Sequence, residues 1–205
     1  GLVRGKVMLT IGVTGGVGAG KSTVLNYIKD NYRAEIILAD DYGNKVKEPG
    51  EECYAKIVEL LGEGILSSPN GTIDREKMAK AIFADEELRR KVNDIIHPAV
   101  IQKILEDVEK IRTGGRIDYC LIEAALLIES GLYREFDKLM YIYADENVRR
   151  KRLISSRGYS DEKIDSIMAT QLSDEEFRSY ADVVIDNSGD SRETYKQIDA
   201  WLSRR

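Results

Sequence analysis

A glycine-rich segment near the start of the chain has the residue types and spacing needed to bind a triphosphate. Gly15-Gly16-Val17-Gly18-Ala19-Gly20-Lys21-Ser22 matches the pattern G-x-x-x-x-G-K-[ST] at every position. Glycines let the backbone wrap closely and turn successive N–H groups toward a phosphate. Lys21 can then reach the β- and γ-phosphates, and the Ser22 hydroxyl can bind Mg²⁺. We therefore expect a nucleoside triphosphate site over this phosphate-binding loop (P-loop) and the following Thr23.

A carboxylate follows the second predicted strand, where an acceptor hydroxyl could lie. Asp40 comes directly after the largely apolar run 35–39, and ligands of open α/β sheets bind at the carboxyl ends of the strands. Asp40 is therefore a candidate catalytic residue, and a helix cap is the alternative from its position alone. Asp41 is the weaker candidate and is expected to be solvated. The third strand ends at Glu123, which leaves open whether the chain is a motor or regulatory ATPase.

Five cations lie within nine residues, at Arg149-Arg150-Lys151-Arg152 and Arg157. Two interpretations stay open: a solvated helix face, or a lid whose arginines hold the oxygens of a transferring phosphoryl group. Neighbouring residues of a helix point about 100° apart. Arg149, Arg150 and Lys151 therefore cannot all face one site, and at least one of these three should be a neutral surface position.

Short apolar runs alternate with amphipathic helices, which predicts an α/β fold with a parallel sheet covered on both faces. The P-loop lies between the first run and a helix over 22–32, which is the context that its chemistry requires. The five predicted strands are 7–13, 35–39, 117–122, 139–143 and 182–185.

The stretch 46–112 departs from this alternation because nearly all of it is predicted helix. Helices are expected over 51–61, over 75–84 with Asp74 as its cap, and from the cap Asp85 to Ile96. His97-Pro98 then predicts a break before a further helix through residue 111. An inserted helical block of this kind is typical of a substrate-binding flap. His97, the only histidine, is a capping or packing residue or a substrate contact, and the residues alone leave this open.

The overall composition is that of a globular protein with excess negative charge. Apolar residues make up 42%, charged residues 33%, and the net charge is −5, so wholesale electrostatic binding to nucleic acid is not expected. Apolar runs are too short to span a membrane, and residues 1–10 lack the features of a secretion signal. Cys53 and Cys120 lie far apart without metal-ligand spacing. Two buried thiols in a cytoplasmic protein are therefore expected.

In these residues the chain resembles the dephospho-coenzyme A kinase family over almost its whole length. The family's opening T-G-G-x-G-x-G-K-S is matched by residues 14–22, and its A-D-x-V-I-x-N-x-G loop by residues 181–189. The other similar segments are Leu38-Ala39-Asp40, Glu48-Pro49-Gly50, Asn70-Gly71, Arg75, Ile82-Phe83, Ile95-Ile96-His97-Pro98, Ala125-Leu126-Leu127-Ile128-Glu129 and Gln171. The P-loop alone is generic, whereas the H-P, L-L-x-E and V-I-x-N-x-G elements in this order are specific.

The resemblance implies a three-layer fold of the P-loop nucleoside triphosphate hydrolase type, with a five-stranded parallel sheet. Its core would comprise 1–45, 113–146 and 172–205, its coenzyme A-binding insert 46–112 and its lid 147–171. It also implies that the γ-phosphate of ATP, with Mg²⁺, is transferred to the ribose 3′-hydroxyl of dephospho-coenzyme A. That reaction is the last step of coenzyme A synthesis.

The resemblance further implies a role for each site residue. Asp40 would orient the acceptor hydroxyl and accept its proton, while Lys21, Arg152 and Arg157 would carry the charge of the transferring phosphate. The predicted adenine-binding residues are Asn187, Ser188 and Gly189, and those predicted to bind the acceptor are Asp40, His97, Leu126 and Glu129.

Departures from the family pattern lie mostly on the acceptor side. They are Leu38, Asn44, Ala125 and Ile128, which replace Asp, Arg, Pro and Phe. In the lid, Arg157 stands one residue beyond the usual spacing, with Ser156 at the expected position. Two alternatives remain, a kinase of nucleosides or nucleotides and a nucleotide-dependent switch protein. A GTPase is not expected, because Asn44-Lys45-Val46-Lys47 lacks the aspartate of N-K-x-D and lies too early.

Overall fold

The computed structural model describes residues 7–203. Residues 1–6 and 204–205, which belong to the predicted core segments and include most of the stretch considered for a secretion signal, lie outside this range. The chain divides into two compact units, one formed by the residues up to Ile37 with those from Ile111 onward, and one by Leu38–Lys110. We call them the sheet unit and the helical unit.

The sheet has five strands, and the predicted parallel α/β architecture is confirmed. The strands are β1 (Leu9–Gly15), β2 (Ala34–Leu38), β3 (Tyr119–Glu123), β4 (Lys138–Tyr143) and β5 (Val183–Asp186), in the order β2-β3-β1-β4-β5. β1 is central, and it pairs in parallel with β3 on one side and β4 on the other. The carboxyl ends of these strands therefore lie at one edge, where Val13 pairs with Glu123 and Gly15 with Ile142.

Helices cover both faces of the sheet. α1 (Lys21–Asn31) and α9 (Ser191–Leu202) bury apolar side chains with Ile11, Val13, Met140 and Ile142 in one cluster. Side chains alternate between the faces of a strand, so Tyr141 lies on the opposite face, where its ring stacks on Phe177 of α8 (Asp174–Tyr180) at 4.8 Å between centroids.

The helical unit forms around a small apolar cluster of its own. Its elements are a 3₁₀ helix (Ala39–Asp41), α2 (Tyr42–Lys45), α3 (Glu52–Leu61), a second 3₁₀ helix (Glu63–Ile65), α4 (Arg75–Ile82) and most of α5 (Glu86–Gly114). Val46, Cys53, Ile57, Ile65 and Leu66 are its buried centre. The predicted caps are confirmed, because Asp74 accepts the Lys77 N–H at 3.0 Å and Asp85 accepts the Leu88 N–H at 2.9 Å.

The predicted break at His97-Pro98 is wrong. α5 runs without interruption from Glu86 to Gly114 and contains Pro98. A proline inside a helix costs about 3 kcal/mol, because it lacks a donor and crowds the preceding turn. Apolar side chains on both sides of Pro98 pack against the cluster of the helical unit, namely Ile95, Ile96, Ala99 and Val100. Ile95, Ile96 and Val100 are partly buried there, and full burial of one side chain of that kind contributes about 1.5–3 kcal/mol. Their combined packing therefore outweighs the local preference for a break.

The segment predicted as a lid consists of two helices joined at a left-handed glycine. α6 (Glu146–Arg157) ends at Gly158, whose φ is 64°, and α7 (Asp161–Thr170) follows. Arg150 holds the two helices together through Glu146 of α6 and Asp161 and Asp165 of α7. Within residues 7–203, no helix is both long and apolar enough to cross a membrane.

The two cysteines generate a prediction about thiol chemistry. Both are buried and free, and burial raises the pKa of Cys53 above its usual value and that of Cys120 to about 12. Because the thiolate is the reactive form, we expect neither cysteine to react with Ellman's reagent at pH 8 in the native protein. Denaturant should release two equivalents of thiol. Rapid titration of either thiol without denaturant would show that its surroundings open.

Candidate active site

The P-loop takes the conformation that phosphate binding requires. It leaves β1 at Gly15 and enters α1 at Lys21, and Gly18 and Gly20 adopt left-handed φ values of 78° and 83°. A residue with a Cβ is strained in that region, so glycine is needed at both positions. The N-terminus of α1 carries unpaired backbone N–H groups and a partial positive charge, which together favour an anion.

Lys21 is held at the mouth of this loop by a carboxylate from the neighbouring strand. Its Nζ lies 3.2 Å from Oε1 of Glu123 and 3.4 Å from the Gly15 carbonyl oxygen. Both side chains are largely shielded, with 22% of Lys21 and 16% of Glu123 exposed. The pairing of Val13 with Glu123 in the sheet places this carboxylate beside the loop. The ammonium group therefore lies at the loop that we predict to bind the triphosphate.

Asn187 attaches the end of β5 to the P-loop. Its Nδ2 donates to the Ala19 carbonyl oxygen at 2.8 Å, and its Oδ1 accepts from the Thr194 hydroxyl at 2.9 Å. A Cβ at Gly20 would collide with Asn187 Nδ2, so close approach as well as φ demands glycine there. Ser188 accepts the Asp145 N–H through Oγ at 2.9 Å, and Gly189 is exposed. All three predicted adenine-binding residues thus follow β5, and Asn187 contacts the loop directly.

The cations of α6 differ in what they contact. Arg152 donates from one terminal nitrogen to the carbonyl oxygens of Gly18 and Ala19, both at 3.2 Å, and from the other to that of Asn187 at 2.6 Å. Lys151 is exposed, and Arg150 faces the carboxylates that connect it to α7. Arg157 is exposed and lies 5.9 Å from the Tyr159 ring centroid.

Two further side chains reach the P-loop from the lid segment. Gln171, directly after α7, accepts the Val17 N–H through Oε1 at 3.1 Å. A terminal nitrogen of Arg149 lies 2.7 Å from the position that a Cβ on Gly16 would take. The sequence placed Gln171 in a family motif and Arg149 in a cationic run without assigning either a site role. Only the three-dimensional register of α6 and α7 against the P-loop separates them from their neighbours.

The predicted acceptor-binding residues fall in both units. Asp40 lies in the 3₁₀ helix after β2 and His97 on α5, and both are exposed in the helical unit. Leu126, 61% exposed, and the exposed Glu129 lie in the turn after β3 in the sheet unit. The structure therefore brings the P-loop, Lys21, Glu123, Arg152 and Asn187 together. The residues predicted to bind the acceptor are exposed.

The donor set fits a magnesium ion that arrives with a nucleotide. Residues 7–203 contain no group of three or more His, Cys, Asp or Glu side chains that could hold a metal ion. Mg²⁺ is usually bound by one or two protein ligands together with phosphate oxygens and water. Ser22 offers an exposed hydroxyl in the first turn of α1, and Glu123 offers a carboxylate that lies beside the preceding Lys21. The hydroxyl of Thr14, the residue before the P-loop, is buried and has no hydrogen-bond partner within residues 7–203.

Comparison with known proteins assigns this arrangement to a family. Residues 9–193 match the dephospho-CoA kinase family. The chain is 39% identical over 197 residues to dephospho-CoA kinase of Geobacillus kaustophilus, with 96% of each protein covered. It is 40% identical over 192 residues to that of Aquifex aeolicus, with 93% of this chain and 94% of the relative covered.

Solved structures show the same fold. Dephospho-CoA kinase from Campylobacter jejuni superposes with a TM-score of 0.69 at 22% identity over 95% of each chain. Shikimate kinase from Acinetobacter baumannii superposes with a TM-score of 0.52 at 15% identity, over 98% of this chain and 96% of that one. The fold of this chain is therefore shared with both of these structures. By the match over residues 9–193 and by its relatives, this chain belongs to the dephospho-CoA kinase family.

Proposed function

We propose that this chain transfers the γ-phosphate of ATP to the ribose 3′-hydroxyl of dephospho-CoA. The family to which it belongs carries out the ATP-dependent phosphorylation of dephospho-CoA. The observation that carries the proposal for this chain is the complete P-loop, whose backbone is fixed by Arg152 and Asn187 and whose lysine lies beside Glu123.

On the ATP side, the backbone N–H groups of the P-loop and Lys21 bind the β- and γ-phosphates. Lys21 exchanges part of its contact with Glu123 for phosphate oxygens, which are stronger partners for an ammonium group when they carry several charges. Ser22 and Glu123 would hold Mg²⁺, which neutralises charge on the phosphate oxygens when it is bound. The backbone of Asn187, Ser188 and Gly189 holds the adenine.

On the acceptor side, Asp40 receives the proton. The acceptor oxygen forms a bond to the γ-phosphorus, and the bond from that phosphorus to the bridging oxygen breaks with its electron pair left on ADP. The hydroxyl proton passes to the Asp40 carboxylate. Asp40 is the second residue after β2, and the carboxyl ends of parallel strands are where such sheets bind ligands. The helical unit, with His97, and the turn containing Leu126 and Glu129 bind the rest of dephospho-CoA.

Arg152 aligns the two halves of the ATP site. It donates to carbonyl oxygens of both the P-loop and the loop after β5, so it fixes the phosphate-binding backbone relative to the adenine-binding backbone. Residues 147–171 act as the lid, and the contacts of Arg152 connect that lid to the nucleotide. Arg157 lies at the exposed end of α6. It contacts phosphate only when the lid closes over the nucleotide.

The proposed reaction predicts a narrow choice of acceptor. In a coupled ADP-release assay with ATP and Mg²⁺, we expect turnover with dephospho-CoA and at most background rates with nucleosides, nucleoside monophosphates or shikimate. Coenzyme A should appear in amounts equal to the ADP released. Turnover with a nucleoside monophosphate alone would support the nucleotide kinase alternative, and acceptor-independent ADP release a nucleotide-dependent switch.

Asp40 generates a prediction about the chemical step. Asp40→Asn removes the proton acceptor and keeps the side-chain shape, so kcat should fall about 100-fold or more, while the KM for dephospho-CoA changes little. Asp41→Asn is the matched control, since it is the exposed neighbouring carboxylate, and it should retain near-normal kcat. The role assigned to Asp40 is wrong if the two variants turn over equally fast.

Arg152 generates a prediction about nucleotide affinity. Arg152→Ala removes three hydrogen bonds from the backbone of the ATP site, so affinity for ATP and ADP should fall together, by about 10-fold or more. Within residues 7–203, the Arg157 side chain makes no hydrogen bond to this backbone, so Arg157→Ala should leave ADP affinity unchanged. Isothermal titration calorimetry measures both. Unchanged ADP binding by Arg152→Ala would show that the loop keeps its conformation without this side chain.

A further inference from the structure

We propose that Arg149 is a further catalytic residue, which binds the γ-phosphoryl group of ATP and stabilises its charge during transfer. The proposal rests on the function proposed above, because it needs ATP in the P-loop. The family motifs point instead to Arg152 and Arg157 in the same helix. Arg152 has its terminal nitrogens bound to backbone carbonyl oxygens, and Arg157 is exposed beside a tyrosine ring.

The first step is the position of Arg149. It lies on α6, and its Nε donates to the Ala144 carbonyl oxygen at 3.1 Å, just after the carboxyl end of β4. This bond fixes the near end of the guanidinium group. Its terminal nitrogen then lies against Gly16, where it would be 2.7 Å from an added Cβ, and its central carbon would be 3.4 Å away. Gly16 has no left-handed φ, so it is the close approach of Arg149 that a side chain there would disturb.

The second step is that Arg149 keeps donors available. Across residues 7–203, its terminal nitrogens make no hydrogen bond, and it forms no ion pair with a carboxylate. The neighbouring Arg150 is neutralised by three carboxylates. Arg149 is also only partly exposed. A shielded guanidinium with unused donors is suited to bidentate binding of phosphate oxygens, because planar N–H groups match that geometry.

The third step is what surrounds this guanidinium on the P-loop. Gln171 accepts the Val17 N–H and would lie 3.5 Å from a Cβ on Gly16, so it lies against the same glycine as Arg149. Gln171 thus holds the backbone at Val17, and the Arg149 guanidinium lies against the adjacent Gly16. A cation fixed in advance at a position where negative charge develops stabilises a transition state without reorganisation.

The chemical step stays the one given for the proposed function. The acceptor oxygen bonds to the γ-phosphorus, the bond to the bridging oxygen breaks with its electron pair on ADP, and Asp40 takes the proton. Arg149 neither gains nor loses a proton. It donates hydrogen bonds to the γ-phosphate oxygens, over which the charge of the transferring group is spread in the transition state.

The test separates a γ-phosphate contact from a structural role. We expect Arg149→Gln to weaken binding of the ATP analogue AMP-PNP by about 10-fold, as one lost charge-assisted contact predicts, and to leave ADP affinity within about twofold. Because ADP lacks the γ-phosphate, equal weakening of both nucleotides would make Arg149 a support for the loop and overturn the proposal. The melting temperature of the free protein should stay close to that of the unchanged chain.

Turnover gives the second measurement. Arg149→Gln should lower kcat with dephospho-CoA about 100-fold, and Arg149→Lys less, because it keeps the charge but loses the planar fork. Lys151→Gln on the exposed side of the same helix removes the same charge and should turn over normally. A kcat of Arg149→Gln within about twofold of the Lys151→Gln value would overturn the catalytic role.

A double-mutant cycle checks the geometry. Gly16→Ala places a methyl group where the Arg149 guanidinium lies, so it should slow turnover in the unchanged chain and much less in the Arg149→Gln background. Additive effects would contradict the contact. If the unchanged chain released no ADP with dephospho-CoA, the proposed function would fail, and the comparison of AMP-PNP with ADP would still decide whether Arg149 reads the γ-phosphate.

Discussion

The backbone of the P-loop is held in its shape by side chains from distant parts of the chain. Gln171 accepts one of its N–H groups, and Arg152 and Asn187 donate to its carbonyl oxygens. Carbonyl oxygens turned away from a phosphate would otherwise be left without partners in a partly buried loop, which costs about 1–3 kcal/mol each. Because Arg152 and Asn187 bind carbonyl oxygens, their contacts occupy none of the N–H groups that phosphate needs.

Strand order explains how these partners reach the loop. β1 lies between β3 and β4, and β5 follows β4, so the segments that leave β3, β4 and β5 all begin at the edge where the P-loop lies. Glu123 ends β3, α6 follows β4, and Asn187 follows β5. Parallel pairing is therefore the reason that residues more than 160 positions apart in sequence, such as Ala19 and Asn187, share a hydrogen bond.

Local sequence patterns predicted the strands and helix caps, which depend mainly on interactions between residues close in sequence. The five strands lie within two residues of their predicted positions, and the caps Asp74 and Asp85 are confirmed. The break at Pro98 failed because packing of α5 against the helical unit outweighs a local helix preference. The P-loop was found from spacing alone. The roles within Arg149-Arg150-Lys151-Arg152 were not, since they depend on how α6 is rotated against a loop about 130 residues earlier.

The orientation of α6 explains how a chain with net negative charge can form a site for a polyanion. A net charge of −5 would oppose ATP only if it acted at the loop, and at physiological ionic strength exposed charges are screened beyond about 8 Å. The carboxylates of Glu146, Asp161 and Asp165 are bound to Arg150, where α6 meets α7. Arg149 and Arg152 turn toward the P-loop instead. α6 thereby places Arg150 with its carboxylate partners against α7, and Arg149 and Arg152 against the P-loop.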